Sequence, residues 1–197
     1  MEKNTIILLI LVLIIGLGIG YTLQGNSGWN SVPTGTRMMP GGSMMSQNID
    51  QHFIVQMIPH HEGAIEMAKV ALERSKRPEI ISLANGIIEA QTREIVDMQS
   101  WYQSWFDSAP PEGGMGGMRM GGMTEEIDDL KAVSAAEFDR EFMEQMIPHH
   151  EMAIMMAQML AAATERAEMQ ELADNIIASQ AREIEMMRSW LASWYGN

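Results

Sequence analysis

The segment Gln56-Met57-Ile58-Pro59-His60-His61-Glu62 recurs as Gln145-Met146-Ile147-Pro148-His149-His150-Glu151, displaced by 89 residues. The match extends without a gap from Asp50–Phe106 onto Asp139–Tyr195, with about half of the positions identical. Tandem repetition at this length constrains the fold more than any single residue does. Each unit has an apolar face that it cannot bury alone, so the two units must close on each other. Four of the five histidines lie in the repeated motif, so whatever the imidazoles do is built twice.

Within each unit the apolar period is helical. Counting about 100° per residue from Met57, the side chains of Phe53, Met57, His60, His61, Ala64, Ala68 and Ala71 fall within about 60° of one direction, while Glu62, Glu66 and Lys69 point away. Pro59 removes a backbone donor and is expected to kink this helix near the histidines. Pro78 is well placed as the first residue of a second helix. That helix runs to about Phe106, with Ile80, Leu83, Ala84, Ile87, Gln91, Glu94, Met98, Trp101 and Trp105 on one face. Residues 107–136 read as a Gly/Met-rich linker with a short connecting helix at 125–133, and Ser134-Ala135-Ala136-Glu137 reads as a capping box opening the third helix. The third helix, to about Thr164, and the fourth, from about Arg166, repeat the first pair. The expected fold is therefore all-α: a four-helix bundle over 49–197, built from the two-helix repeats 50–106 and 139–195, with a linker long enough for a crossover.

Thr5–Leu23 is a nearly unbroken apolar run, long enough to span a hydrocarbon core. It predicts a transmembrane anchor over residues 1–23, entering the membrane through 5–23 and favoured over a cleaved signal segment because no Ala-x-Ala-like site follows it, with residues 24–48 as a Met/Gly-rich flexible tether. The expected location is the cell membrane, single-pass, with the soluble domain periplasmic or extracellular. A net charge of -13 argues against nucleic acid and is compatible with cation binding. The chain has no cysteine and 21 methionines. A thioether cannot form a disulfide, so it suits a soft-metal protein outside the cytoplasm.

The two helices of each unit are antiparallel about a turn near residue 77, which sets His61 level with Glu94 and Met57 level with Met98. The second unit sets His150 level with Glu183 and Met146 level with Met187. Gln91, Glu94, Gln180 and Glu183 fall on apolar faces, where a polar group needs a partner. A ligating histidine commonly hands its second N–H to a carboxylate, and these glutamates are placed for that. The same residues could also form a purely structural hydrogen-bonded network. Adjacent histidines point about 100° apart on a helix, so His60 and His61 need not share one ion. The residue three before His60 is Met57, and before His149 it is Met146. Bundles that hold two irons carry a carboxylate there, and exchanging it for a thioether shifts preference toward Cu(I) or Ag(I).

The remaining methionines divide by position. Met143, Met159 and Met169 match Ile54, Val70 and Ile80 and read as core filling. Met152 and Met155 match Gly63 and Glu66, where core packing gives no reason for Met. With Met156 and Met159 they form a thioether stripe along one flank of the third helix, suited to a soft ion or to a protein interface. In the linker, Met115, Met118, Met120 and Met123 can wrap thioethers around one ion of low coordination number.

The repeated Met-Ile-Pro-His-His-Glu, followed by Ala64-Ile65-x-Met67-Ala68 and Ala153-Ile154-x-Met156-Ala157, resembles the bacterial domain-of-unknown-function family 305. Gln91-x-Arg93-Glu94-Ile95 and Gln180-x-Arg182-Glu183-Ile184 strengthen the match, which covers residues 49–195. The resemblance implies a ferritin-like four-helix bundle and, from exported His/Met-rich members, a role in copper binding and resistance. It carries over onto His60, His61, His149, His150, Met57 and Met146. The expected function is sequestration or relay of Cu(I), with Ag(I) as an alternative cargo, by ligand exchange without bond-making chemistry and in concert with a copper-transport partner protein. A metal-dependent oxidase with a site in the bundle core, and a helical interaction module with structural histidines, remain the alternatives.

Overall fold

Each repeat folds as an antiparallel pair of long helices. In the computed structural model, which describes residues 41–111 and 121–196 (the side chains of 41–48 and 121–126 excepted), these are α1 (Gly41–Arg74) with α2 (Pro78–Phe106), and α4 (Phe138–Ala161) with α5 (Ala167–Tyr195). A short α3 (Gly121–Ala132) precedes the second pair, and no strand occurs among the described residues. The all-α expectation holds.

The turns inside the two pairs are built alike. The Ser75 hydroxyl accepts the Arg77 N–H at 3.2 Å, and the equivalent Thr164 hydroxyl accepts the Arg166 N–H at 3.1 Å. A hydroxyl two residues before an extended N-cap thus stands in for a side-chain cap. Pro78 opens α2 as expected. α1 and α4 run unbroken through Pro59 and Pro148.

The pairs close on each other along α1 and α4. One half of the core joins Phe53, Ile54 and Met57 from α1 with Met98, Leu160, Met169 and Ile176; the other joins Ala64, Met67 and Ala68 with Ile80, Phe142, Met146 and Met187. Between them lie His60, His61, Gln91, His149, His150 and Gln180, all buried. The contacts between repeats are reciprocal. Arg77 pairs with Asp139 at 3.2 Å and sits 4.3 Å over Trp194, while Arg166 pairs with Asp50 at 3.2 Å and sits 4.0 Å over Trp105. Residue for residue, the two clamps are each other's repeat equivalents, which is the signature of a near two-fold relation between the halves.

α1 is buried around most of its circumference, beyond the single face that periodicity gives it. Asp107 takes a left-handed conformation (φ 51°) at the end of α2, which ends the helix. Ala109, Pro110 and Pro111 then share a pocket with Val55, Ile58, Pro59 and Glu62 on a second side of α1. α3 approaches a third side. Its terminal carbonyls are held by Arg74, whose guanidinium donates to the Lys131 and Val133 carbonyl oxygens, both at 2.6 Å.

Several boundaries differ from those read in the sequence. α1 begins at Gly41, inside the expected tether, and α3 at Gly121, inside the expected linker. Adding a residue to a formed helix gains a hydrogen bond without a new nucleation cost, so helices grow outward into Met- and Gln-containing flanks. The capping box at 134–137 does not form. The Glu137 N–H bonds the Ser134 carbonyl at 3.2 Å in a turn, and α4 starts at Phe138 without a side-chain cap. Burial of the Phe138 ring beneath the Arg74 guanidinium (5.0 Å) fixes that start.

The membrane assignment is also corrected. Among the described residues no helix is long and apolar enough to cross a membrane. Polar and charged side chains recur throughout each of the long helices. The run at 5–23 and the tether as far as residue 40 lie outside the described residues. The expected single-pass cell-membrane location, with a periplasmic or extracellular domain, is therefore not supported.

Candidate metal centre

The buried polar layer forms because the repeated motif puts two imidazoles in succession on the α1 and α4 core faces. In α1, His61 turns toward its own partner helix: its Nε2 lies 2.6 Å from Glu94 Oε2. In α4, His150 does the same with Glu183 Oε2, also at 2.6 Å. A carboxylate can only accept, so Nε2 carries a proton and donates, and Nδ1 of each ring is the nitrogen not engaged by the carboxylate. The level pairing expected within each helical pair is what the geometry has.

His60 and His149 turn the other way, toward each other. Their ring centroids are 3.8 Å apart with planes tilted by 44°, so the two repeats meet at equivalent imidazoles. Sequence reasoning missed this contact, because periodicity inside one repeat carries no information about how two repeats cross. Four ring nitrogens of this pair, together with Nδ1 of His61 and of His150, are buried and lack a hydrogen-bond partner. The Gln91 and Gln180 side-chain oxygens are in the same condition.

Electrostatics keeps His60 and His149 neutral. Burial, and then the neighbouring His61 and His150 rings, push the His60 pKa down to about 3. Burial holds His149 well below the ordinary imidazole value, with His60, His150 and His61 adding to it. Only the His60 backbone opposes this, and it is the smallest of the contributions. Desolvation disfavours the charged form, so both imidazoles keep their lone pairs well into acid.

A buried donor or acceptor without a partner costs about 1–3 kcal/mol. A layer carrying so many is a poor structural network: His–Glu pairs satisfy two of its eight ring nitrogens and leave six without a partner. A bound ion or ordered water is the usual resolution of such a cluster. Among the described residues no three His, Asp or Glu side chains converge as a metal cluster. Ligation here would draw on pairs of nitrogens, or on nitrogen with sulfur, the donor sets that suit a soft, low-coordinate cation.

The methionines separate into three groups. Met57 and Met146 are fully buried in opposite halves of the core, where each fills space beside the layer. Met152, Met155 and Met159 are exposed on α4, and Met156 is half-buried against the core. Met159 corrects the core-filling assignment. It is 55% exposed, although its equivalent Val70 is buried in a cluster that includes Leu130 of α3. α3 packs against α1, and the described residues put no matching cover over Met159. Met152, Met155 and Met159 of the expected stripe thus lie on the surface, while the imidazoles lie inside. Met115, Met118 and Met120 are outside the described residues, and Met123 falls within α3 with its side chain undescribed.

Comparison with known proteins agrees with this architecture. The family described as "Domain of unknown function (DUF305)" matches residues 50–195. The structure is similar to that of CopM in the Cu(I)-bound form, with 47% identity and a TM-score of 0.66, over 75% of this chain and 98% of that one. CopM has also been solved in apo, Cu(II)-bound and Ag-bound forms. A DUF305 fragment from Deinococcus radiodurans is 30% identical with a TM-score of 0.65, over 74% of this chain and 96% of that one. An uncharacterized protein, L153, of Acanthamoeba polyphaga mimivirus is 45% identical over 51 residues, which is 26% of this chain and 34% of the viral one. With the repeated His-His motif, the helical pairs and a family match that takes in both repeats, the chain belongs to the DUF305 family.

Proposed function

We propose that this protein binds and holds Cu(I), with Ag(I) as a surrogate cargo, and that its role is copper homeostasis or resistance through reversible ligand exchange. The observation that carries the reading is the cluster of six buried, unpartnered imidazole nitrogens at the junction of the repeats. In this reading His60, His61, His149 and His150 supply the buried ligands, with Met57 and Met146 beside them. Glu94, Glu183, Gln91 and Gln180 orient and polarise the rings. Met152, Met155, Met156 and Met159 form a separate surface site, and the linker methionines Met115, Met118, Met120 and Met123 offer further thioethers for an ion of low coordination number. The similarity to CopM, solved with Cu(I) and with silver, supports this assignment. The four long helices support reading the domain as a ferritin-like bundle.

The test is an anaerobic titration of the protein with Cu(I), Ag(I), Zn(II) and Fe(II), reading bound metal per chain. Soft monovalent ions are expected to outcompete the divalent ones. Replacing the four histidines by Gln should remove one class of bound Cu(I), and changing Met152 and Met155 to Leu should remove another. Displacement of Cu(I) by Fe(II) or Zn(II) at comparable free concentrations would defeat the proposal. Continuous oxygen consumption with Cu(I) would favour an oxidase instead.

A further inference from the structure

A groove of about 470 Å3 separates the start of α2 from the end of α5, lined by Ser82, Leu83, Gly86, Glu183, Met186 and Trp190 among others. Three observations give it a purpose. Glu183 belongs to the groove and to the buried layer at once: it lines the opening, and its Oε2 receives the His150 Nε2–H at 2.6 Å. Met186, three residues further along α5, is 41% exposed beside it, a thioether with no core to fill. On the facing wall Gly86 leaves the opening clear, since a Cβ built there would meet nothing within 4 Å.

The two repeats differ at these positions. The equivalent of Met186 is Asp97 and the equivalent of Gly86 is Asn175. The related approach to Glu94 therefore carries a hard carboxylate and a bulkier amide where this one has a soft donor and open space. A thioether prefers a soft monovalent cation, whereas a carboxylate does not discriminate in its favour.

We infer that this groove is the port by which a soft monovalent cation reaches the imidazole layer, with Met186 capturing the ion at the mouth and Glu183 receiving its charge at the threshold. The ion keeps its oxidation state throughout. Thioether, carboxylate and imidazole exchange in turn, and Glu183 continues to accept the His150 proton while the ion passes to the bare ring nitrogens behind. The inference rests on the reading of the layer as a Cu(I) site, and makes filling of that site one-sided.

The experiment follows Cu(I) into the full-length protein anaerobically, adding an excess of a fast Cu(I) chelator at successive times and counting the copper that resists it in a histidine-dependent manner. Gly86→Phe, which plugs the groove from its open wall, and Met186→Leu, which keeps the volume and removes the sulfur, are each expected to slow filling about tenfold, a barrier raised by roughly 1.4 kcal/mol. The final amount of protected copper should be unchanged. Gly86→Ala and Asn175→Phe should fill at the wild-type rate. Equal rates in all variants would overturn the port and leave the copper reading standing, as would equal slowing by Asn175→Phe. If Gly86→Phe fails to fold, an unchanged rate in Met186→Leu overturns the port by itself. No histidine-dependent protected copper in the wild type would overturn the copper reading and the port with it.

Discussion

His60 and His149 stand out at the scale of single residues because they are expensive to bury and nothing around them repays the cost. A Leu at both positions is close to the imidazole in volume and needs no hydrogen bonds. The double variant His60→Leu/His149→Leu should therefore be more stable than wild type without metal, by about 1–3 kcal/mol in urea denaturation, while losing buried-site copper. Loss of stability would mean that the pair is structural. The same residues set an acid limit. Their folded pKa values lie below the ordinary 6.5 of the unfolded chain, so the neutral form contributes stability above that pH, and the contribution falls as pH drops toward the folded values. The slope approaches about 1.4 kcal/mol per pH unit for each ring. Urea midpoints measured on metal-free protein from neutral pH downward should show this slope, and His60→Leu/His149→Leu should flatten it. Asp50 works in the opposite sense: burial raises its carboxyl pKa, so its contribution is lost as pH rises through that raised value. Much of this layer was legible in the sequence. The antiparallel count places His61 opposite Glu94 and His150 opposite Glu183, because contacts within a helical pair follow from the position of the turn. The His60–His149 contact was not legible, since it depends on the crossing of two pairs.

Among the elements, the reciprocal clamps join each turn to the other repeat, and they are not equal. Asp50 is completely buried beside Arg166, whereas Asp139 is partly exposed beside Arg77. Removing Arg166 leaves a carboxylate in the interior without its counter-charge, which costs about 3–5 kcal/mol. Removing Arg77 disrupts a half-solvated pair worth about 1 kcal/mol or less, together with its contact on Trp194. Arg166→Met should thus lower the urea midpoint far more than Arg77→Met, and Asp50→Asn should recover much of the loss. Equal effects would place the energy in the stacked tryptophans instead. The helices themselves were legible from period, proline and turn position, but their ends and neighbours were less so. α3 starts earlier than the Gly-rich sequence suggests, and Val55 and Ile58 are buried on a side of α1 where residues 109–111 return to line a shared pocket. Such cover comes from segments without periodicity, which leave no mark on the helix they cover. Met159 shows the converse: identical reasoning from Val70 fails where the cover is missing.

For the molecule as a whole, an ion in the layer would tie together both repeats and both halves of the core, so binding and folding should be linked. At a free Ag(I) concentration a hundredfold above the dissociation constant, linkage adds about 2.7 kcal/mol. The wild-type unfolding temperature should rise accordingly in calorimetry, and that of His60→Leu/His149→Leu should not. A rise in both would locate the stabilising ion on the surface methionines. The near two-fold relation has one further consequence. Where a residue meets its own equivalent, as His60 meets His149, the surface is self-complementary, and each half answers the other in kind. On the surface a residue without such a counterpart is free to change alone, as Gly86 and Asn175 or Met186 and Asp97 have. Symmetry in this chain is thus kept in the interior and at the joints and given up on parts of the surface, and a molecule built from two like halves can have an inside that is the same from either end and an outside with a front and a back.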